Sequence, residues 1–253
     1  MKRIDICGVP VSSTNLTNAC QAVDSWIQQK KKSYVCVAPV STVVDCQRDQ
    51  DYRKVVLGAD MVTPDGMPLV WLAKLSGDKF IQRTYGPDFM QAFCDYGRQK
   101  GRRHFLYGGE EKTCQQLINV LKQKFPDIEI VGYYSPPYRP AHFQEEQKVI
   151  DQINRSQADV LWVGLGSPKQ DFWMVEHRDR LDVPVIVGVG AAFDFIAGIK
   201  PQAPKWMQKS GLEWFFRLCS EPKRLWKRYL IGNTLFICYL VKDFFRKRFF
   251  VKS

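Results

Sequence analysis

The stretch DVLWVGLGSPKQDFWMVEHRDRLDVPVIVGVG, residues 159–190, repeats one structural unit twice. DVLWVGLG (159–166) and VPVIVGVG (183–190) are short β-branched or aromatic runs ending at glycine, the pattern of buried strands. Each runs into a glycine-rich turn that opens a helix: VGLGSPKQDFW (163–173) and VGVGAAFDFIAG (187–198). Strand, turn, helix, strand is the unit of a parallel sheet, because parallel neighbours need a crossover and the crossover is usually a helix.

The unit extends outward along the chain. YVCVAPV (34–40), RHFLYGG (103–109) and IEIVGYY (128–134) read as further strands. EEKTCQQLINVLKQKF (110–125) places Cys114, Leu117, Ile118, Leu121 and Phe125 at helical spacing, and EEQKVIDQINRS (145–156) does so with Val149, Ile150 and Ile153. STVVDCQRDQDYRKVVL (41–57) is predicted as one helix with Ser41 as its N-cap. The order implies an α/β fold with a mostly parallel sheet flanked by helices.

Residues 205–253 break the alternation. Twelve Lys/Arg stand against three Asp/Glu there, so +9 of the net +11 lies in this tail and the 1–204 body carries only +2. Its longest charge-free run, Tyr229–Val241, is 13 residues, short of the ~20 a membrane-spanning helix needs. Aromatic and aliphatic residues mixed with cations suit helices lying in a membrane interface, and equally a helical bundle packed on the body with solvated cations. Pro222 is expected to divide the tail into two helical pieces. The opening MKRIDICGVPVSS lacks the apolar core of a signal peptide, so an intracellular protein is expected. Eight scattered cysteines with no C-x-x-C pair read as reduced core thiols. The histidines at 104, 142 and 177 are too dispersed for a metal site.

The glycine turns carry the first functional signal. Such turns let backbone N–H groups approach phosphate at a helix N-terminus, and ligands collect beyond the carboxyl ends of parallel strands. Neither turn completes a dinucleotide fingerprint, because Lys169 and Phe193 occupy the third glycine position. A nucleotide-sized ligand at YGGEE (107–111), 163–173 and 187–198 follows, with glycines alone also serving tight turns. The D-x-D at Asp49 and Asp51 lies among Arg48, Arg53 and Lys54 and reads as internal ion pairing on a solvated face. Diphosphate charge would then fall to helix N-termini and to Arg or Lys. Two further residues sit beside turns: Asp65 in MVTPDGMPLVW and Arg83 in QRTYGPDFM, where Pro87 can start a helix. A turn aspartate is ordinarily structural, and composition alone leaves Asp65 so.

At VTPDGMPLVW, RTYGPDFM, GLGSPKQDFW, GVGAAFDFIAGIKPQAPKWMQKSGLEWFFRL and EPKRLWKRY, in this order over nearly the whole chain, the sequence resembles the WecG/TagA/CpsF family, glycosyltransferase family 26. The resemblance implies a Rossmann-like domain of GT-E type with a C-terminal appendage. It implies an inverting, metal-independent hexosyltransferase that needs no cofactor. The donor would be a UDP-sugar and the acceptor a saccharide on polyprenyl diphosphate. The setting would be cell-surface polymer synthesis, peripheral on the cytoplasmic face of the membrane. Asp65 would be the catalytic base and Arg83 a second catalytic residue, an anion clamp rather than a surface charge given Asp65 in a loop of the same kind. The UDP-sugar would be held around Gly108, Gly109, Gly164, Gly166, Gln170, Gly188, Gly190 and Asp194. Arg217, Arg224 and Arg228 would reach the lipid diphosphate.

The chain departs from the family pattern. Ala38 and Val40 stand where many members have Thr and Asn facing the site, Asp171 where they have Glu, and Gln202 where they have Arg. The first two departures limit the implied activity to its reaction type and leave the sugar open, N-acetylmannosamine included. Two other classes remain beside this reading: a nicotinamide oxidoreductase, against which the incomplete fingerprints speak, and a nucleic-acid binder suggested by pI ≈ 9.3. For the latter the aromatics and cations are wrongly arranged, sharing one amphipathic tail. Self-association through the body is left open.

Overall fold

The computed structural model describes residues 1–137 and 143–250. The chain opens with strands β1 (Arg3–Ile6) and β2 (Val9–Ser12), then α1 (Leu16–Gln28), β3 (Ser33–Ala38), α2 (Val40–Arg48), α3 (Gln50–Gly58) and β4 (Met61–Pro64). It continues through α4 (Met67–Leu75), α5 (Gly86–Arg98), β5 (Arg103–Gly108), α6 (Glu111–Lys124), β6 (Glu129–Tyr134), α7 (Gln147–Arg155) and β7 (Val160–Gly164). Then come α8 (Lys169–His177), β8 (Val185–Gly188) and α9 (Ala192–Ile196). The tail holds α10 (Lys205–Lys209), α11 (Glu213–Ser220), α12 (Pro222–Trp226), a π-helical turn (Lys227–Ile231) and α13 (Gly232–Phe250).

Six strands form one sheet in the order β4-β3-β8-β7-β5-β6, and every neighbouring pair is parallel. The continuous apolar runs are explained by burial on both faces. In β7, Leu161 and Val163 join the core on one side, and Val160 and Trp162 join the core on the other. Because all strands point one way, the turns after β3, β4, β5, β7 and β8 share one rim. The candidate residues at 65, 108–109, 164–170 and 188–194 therefore belong to a single edge of the molecule.

Several expectations need correction or extension. The region 41–57 is two helices, because the Asp49 carboxylate accepts from the backbone N–H groups of Asp51 and Tyr52, both at 2.9 Å, and so starts a new helix. The first of these helices begins after Pro39, which places Ser41 inside it. Strand β4 and the hairpin of β1 and β2 are additional to the predicted strands. Cys7 and Gly8 both take positive φ, 51° and 77°, the backbone of a tight two-residue hairpin turn. Pro222 sits in the first turn of α12, and another tail break falls at Gly211. There φ is +73° and an added Cβ would lie 2.6 Å from the Trp71 indole, so only glycine fits. Finally, six cysteines are buried and free, but Cys219 and Cys238 are exposed on the tail.

The tail is not detached from the body. α13 packs along α2, and Phe236 and Leu225 are buried. Among the described residues no helix is long and apolar enough to cross a membrane.

Candidate active site

β4 ends at Pro64, and the next residue is fixed from three directions. Asp65 N–H donates to the Ala38 carbonyl at 3.1 Å, its Oδ1 accepts from Gly86 N–H at 3.1 Å, and its carbonyl accepts from Arg83 Nε at 2.5 Å. Thr84 N–H closes the loop onto the Pro64 carbonyl at 2.8 Å. Among the described residues Oδ2 accepts no hydrogen bond, so half of the carboxylate is available to a ligand.

Arg83 is spent on protein partners. Besides Asp65, its Nη1 donates to Gln208 Oε1 at 3.2 Å, and its Nη2 pairs with Glu213. Its guanidinium lies 4.1 Å from the centre of the Tyr85 ring. Arg83 and Glu213 are only 14% and 13% exposed, so this is a largely buried ion pair linking the β4 turn to α10 and α11. Burial pushes the Glu213 carboxyl above its ordinary value, against the pull of Arg83.

A cavity of about 420 Å³ opens between this turn and the tail. Asp65, Arg83, Glu213, Arg217 and Arg228 line its polar part, and Trp71, Trp214, Phe236 and Leu240 are among its apolar walls. Arg217 stacks its guanidinium toward Phe195 at 5.3 Å. Burial works against its charge, but Tyr229, Tyr85, Asp65 and Glu213 outweigh it and hold its pKa above the usual value. Arg228 donates to Ser41 Oγ from Nη2 at 2.7 Å and from Nε at 3.1 Å. Arg224 is elsewhere: it is exposed, pairs with Glu221 and does not line the cavity.

The glycine turns divide into two kinds. A Cβ on Gly108 would meet the Gly164 backbone at 2.8 Å, and one on Gly164 would meet the Phe193 ring at 2.8 Å. The same ring lies 3.4 Å from a Cβ on Gly109. These glycines admit neighbouring backbone and an aromatic ring. Gly166, with φ +81°, has open space where a side chain would point. Gln170, buried to 2% exposure, was expected beside the nucleotide; its Oε1 accepts from Gly190 N–H at 2.8 Å and Gly166 N–H at 3.1 Å. Two of the N–H groups expected to face a diphosphate are therefore bonded to this amide, whose two lone pairs clamp the turns together. Gly188 is small because a Cβ there would lie 2.8 Å from the Gln170 amide nitrogen. Asp194 pairs with Lys200 at 2.8 Å, and Lys200 also reaches Glu221 at 3.4 Å.

The two groups of candidates meet at Gly86. It donates to Asp65, and a Cβ on it would lie 3.1 Å from the Val189 carbonyl, beside the Gly190 turn. Val40 lines the cavity, whereas Ala38 is fully buried beneath it. Asp171 is buried at 1% exposure and accepts from Tyr52 Oη at 2.8 Å; burial raises its pKa to about 6. His104 accepts from Trp162 Nε1 at 3.0 Å and burial lowers its pKa to about 3; His177 is likewise inside the core, and His142 lies outside the described residues. Asp51 pairs with Lys54 at 2.8 Å, as ion pairing predicts, while Asp49 serves as a cap. Sequence reasoning missed Glu213, Gln208, Ser41 and Tyr229. Their one signal is that three of them fall within or beside the long tail motifs.

The sequence profile of the glycosyl transferase WecG/TagA/CpsF family matches residues 4–249. The chain is 28% identical over 253 residues to an N-acetylglucosaminyldiphosphoundecaprenol N-acetyl-beta-D-mannosaminyltransferase of Bacillus subtilis (strain 168), covering 100% of this chain and 96% of that one. A protein of the same description from Bacillus spizizenii is 31% identical over 206 residues, covering 81% and 78%. Another from Staphylococcus aureus (strain MW2) is 23% identical over 225 residues, covering 88% and 87%. With the profile spanning nearly the whole chain, this protein belongs to the WecG/TagA/CpsF family of glycosyl transferases.

Proposed function

We propose that the chain transfers a hexose-type sugar, with inversion and without a metal, from a UDP-sugar to a saccharide carried on polyprenyl diphosphate. The setting is cell-surface polymer synthesis at the cytoplasmic face of the membrane. The observation that carries this reading is the half-free Asp65 carboxylate in a cavity that also presents Arg217 and Arg228. Direct displacement needs a base on the acceptor and stabilisation of the leaving group. Asp65 Oδ2 takes the proton as the acceptor oxygen bonds to the sugar's anomeric carbon. The bond from that carbon to the UDP oxygen breaks, and the electron pair leaves with UDP. The UDP-sugar lies over the open space at Gly166, adjoining Asp65 through Gly86; the Gly166 and Gly190 N–H groups shape this floor through Gln170 and do not bond its diphosphate. Arg217 and Arg228 meet the acceptor diphosphate. The acceptor in the family relatives' names, a sugar on diphosphoundecaprenol, is of this class. The tail's cations and exposed aromatics, among them Trp226 and Phe244, hold the protein at an anionic membrane surface.

A panel of UDP-sugars with a polyprenyl-diphosphate-linked acceptor, read by product mass, tests the reaction and names the donor. Asp65→Asn should abolish turnover while UDP still raises the melting temperature and NAD does not. Near-normal transfer by Asp65→Asn sinks the base assignment.

A further inference from the structure

The cavity has a second half that acid–base chemistry does not use. Its polar end holds Asp65, Arg217 and Arg228, and it continues outward between α4 and α13. On α4, Trp71 and Leu75 are four residues apart and share a face; on α13, Phe236 and Ile237 lie four and three residues before Leu240 and share a face with it. All five line the cavity. Phe236 is a buried floor at 5% exposure, whereas Leu75 is 85%, Ile237 61% and Trp71 44% exposed.

Single exposed apolar residues need no explanation, but three that converge on one lane leading from a cationic pocket do. Granted the transfer proposed above, we infer that the α4–α13 lane binds the first isoprenoid units of the acceptor's lipid chain. The occupant follows from charge order. Two arginines at the closed end and hydrocarbon toward the open end match a molecule with a diphosphate at one end and an apolar chain at the other. A second copy of this chain offers no diphosphate to the inner cations. A membrane surface has no reason to reach a floor as deep as Phe236. The exposed Trp226, Leu230, Phe244 and Phe245 do not line this cavity. The lane makes α4, an element of the body, a reader of the lipid. Only the tail was expected to meet it.

The test uses the full chain and two acceptors with the same saccharide and diphosphate, one whose diphosphate carries only a methyl group, too short to enter the lane, and one on a long isoprenoid chain. The readout is the ratio of kcat/KM for long over short. Leu75→Gln and Ile237→Gln are chosen because both sites are exposed and the change adds no charge; melting curves check folding. Wild type should prefer the long chain, and each variant should lose about tenfold of that preference, as expected for a few methylenes returned to water. Anionic vesicle cosedimentation should stay as in wild type. Variants that keep the wild-type ratio overturn the lane. So do variants that lose vesicle binding in step with the ratio, which would make the lane a membrane contact. A change of oligomeric state at unchanged ratio also overturns it. If wild type transfers sugar to neither acceptor, the reaction proposed above falls as well, an outcome distinct from losing the lane alone.

Discussion

At the scale of single residues, the decisive arrangement is the chain of contacts from Glu213 through Arg83 to Asp65. Arg83 was expected to act near the reaction, as an anion clamp. With all three of its nitrogen positions engaged by protein, it is a strut that holds the Asp65 backbone carbonyl. Glu213→Gln keeps an acceptor for the guanidinium but removes its counter-charge. It should lower kcat by on the order of 100-fold through misplacement of Asp65, with a smaller effect on acceptor KM and partial recovery in Glu213→Asp. Steady-state kinetics read both. Asp171 gives a pH prediction. Its unfolded carboxyl titrates near 3.8 and its folded one near about 6, so the folded state binds the proton more tightly. Stability from this group is full below the lower value and is lost as pH rises through the upper one. Asp171→Asn should therefore melt higher than wild type at about pH 7.5, with the gap closing toward about pH 4. Asp65 itself was legible as a turn residue, and the motif order around it made it a candidate base. Glu213 was not, because its partner is 130 positions away.

Among the elements, five of the six sheet strands and the βα order were readable because buried parallel strands are apolar on both faces and are bounded by Gly or Pro; β4 was not, being four residues long and running straight into the Asp65 turn. The β1–β2 hairpin was not, since Cys7-Gly8 lacks the usual Asn-Gly or Asp-Gly signal. The α2–α3 break was hidden because an aspartate inside a charged run shows its capping role only when its carboxylate is seen on the next turn's N–H groups. The glycines permit a graded test. Gly211→Ala meets both a positive φ and the Trp71 ring and should cost about 1–3 kcal/mol in urea unfolding. Gly166→Ala meets only the positive φ and should cost about 1–2 kcal/mol. Gly188→Ala has no φ penalty, but it must displace the Gln170 amide and so should weaken UDP binding, measured by calorimetry, as well as stability.

For the molecule as a whole, the tail is both a wall of the site and the carrier of most of the net charge. Cosedimentation with anionic vesicles should exceed that with neutral ones and fall steeply as salt is raised, while the melting temperature barely moves, because the cations are exposed and screened. Equal binding to both vesicle types at all salt concentrations would remove the electrostatic part of the membrane proposal. The sequence by itself determined the α/β class, the parallel sheet, the family and the charge asymmetry. Each of these is written in local periodicity, in short ordered motifs or in composition. Tertiary structure alone decided that Arg83 is bonded to protein and that Gln170 clamps two glycine turns. It also brought Arg217 and Arg228 to the cavity, left Arg224 outside it, and set α4 and α13 to face each other across an apolar lane. Those facts depend on pairings between residues distant in sequence, and hydrogen bonds and packing of that kind have no local signature.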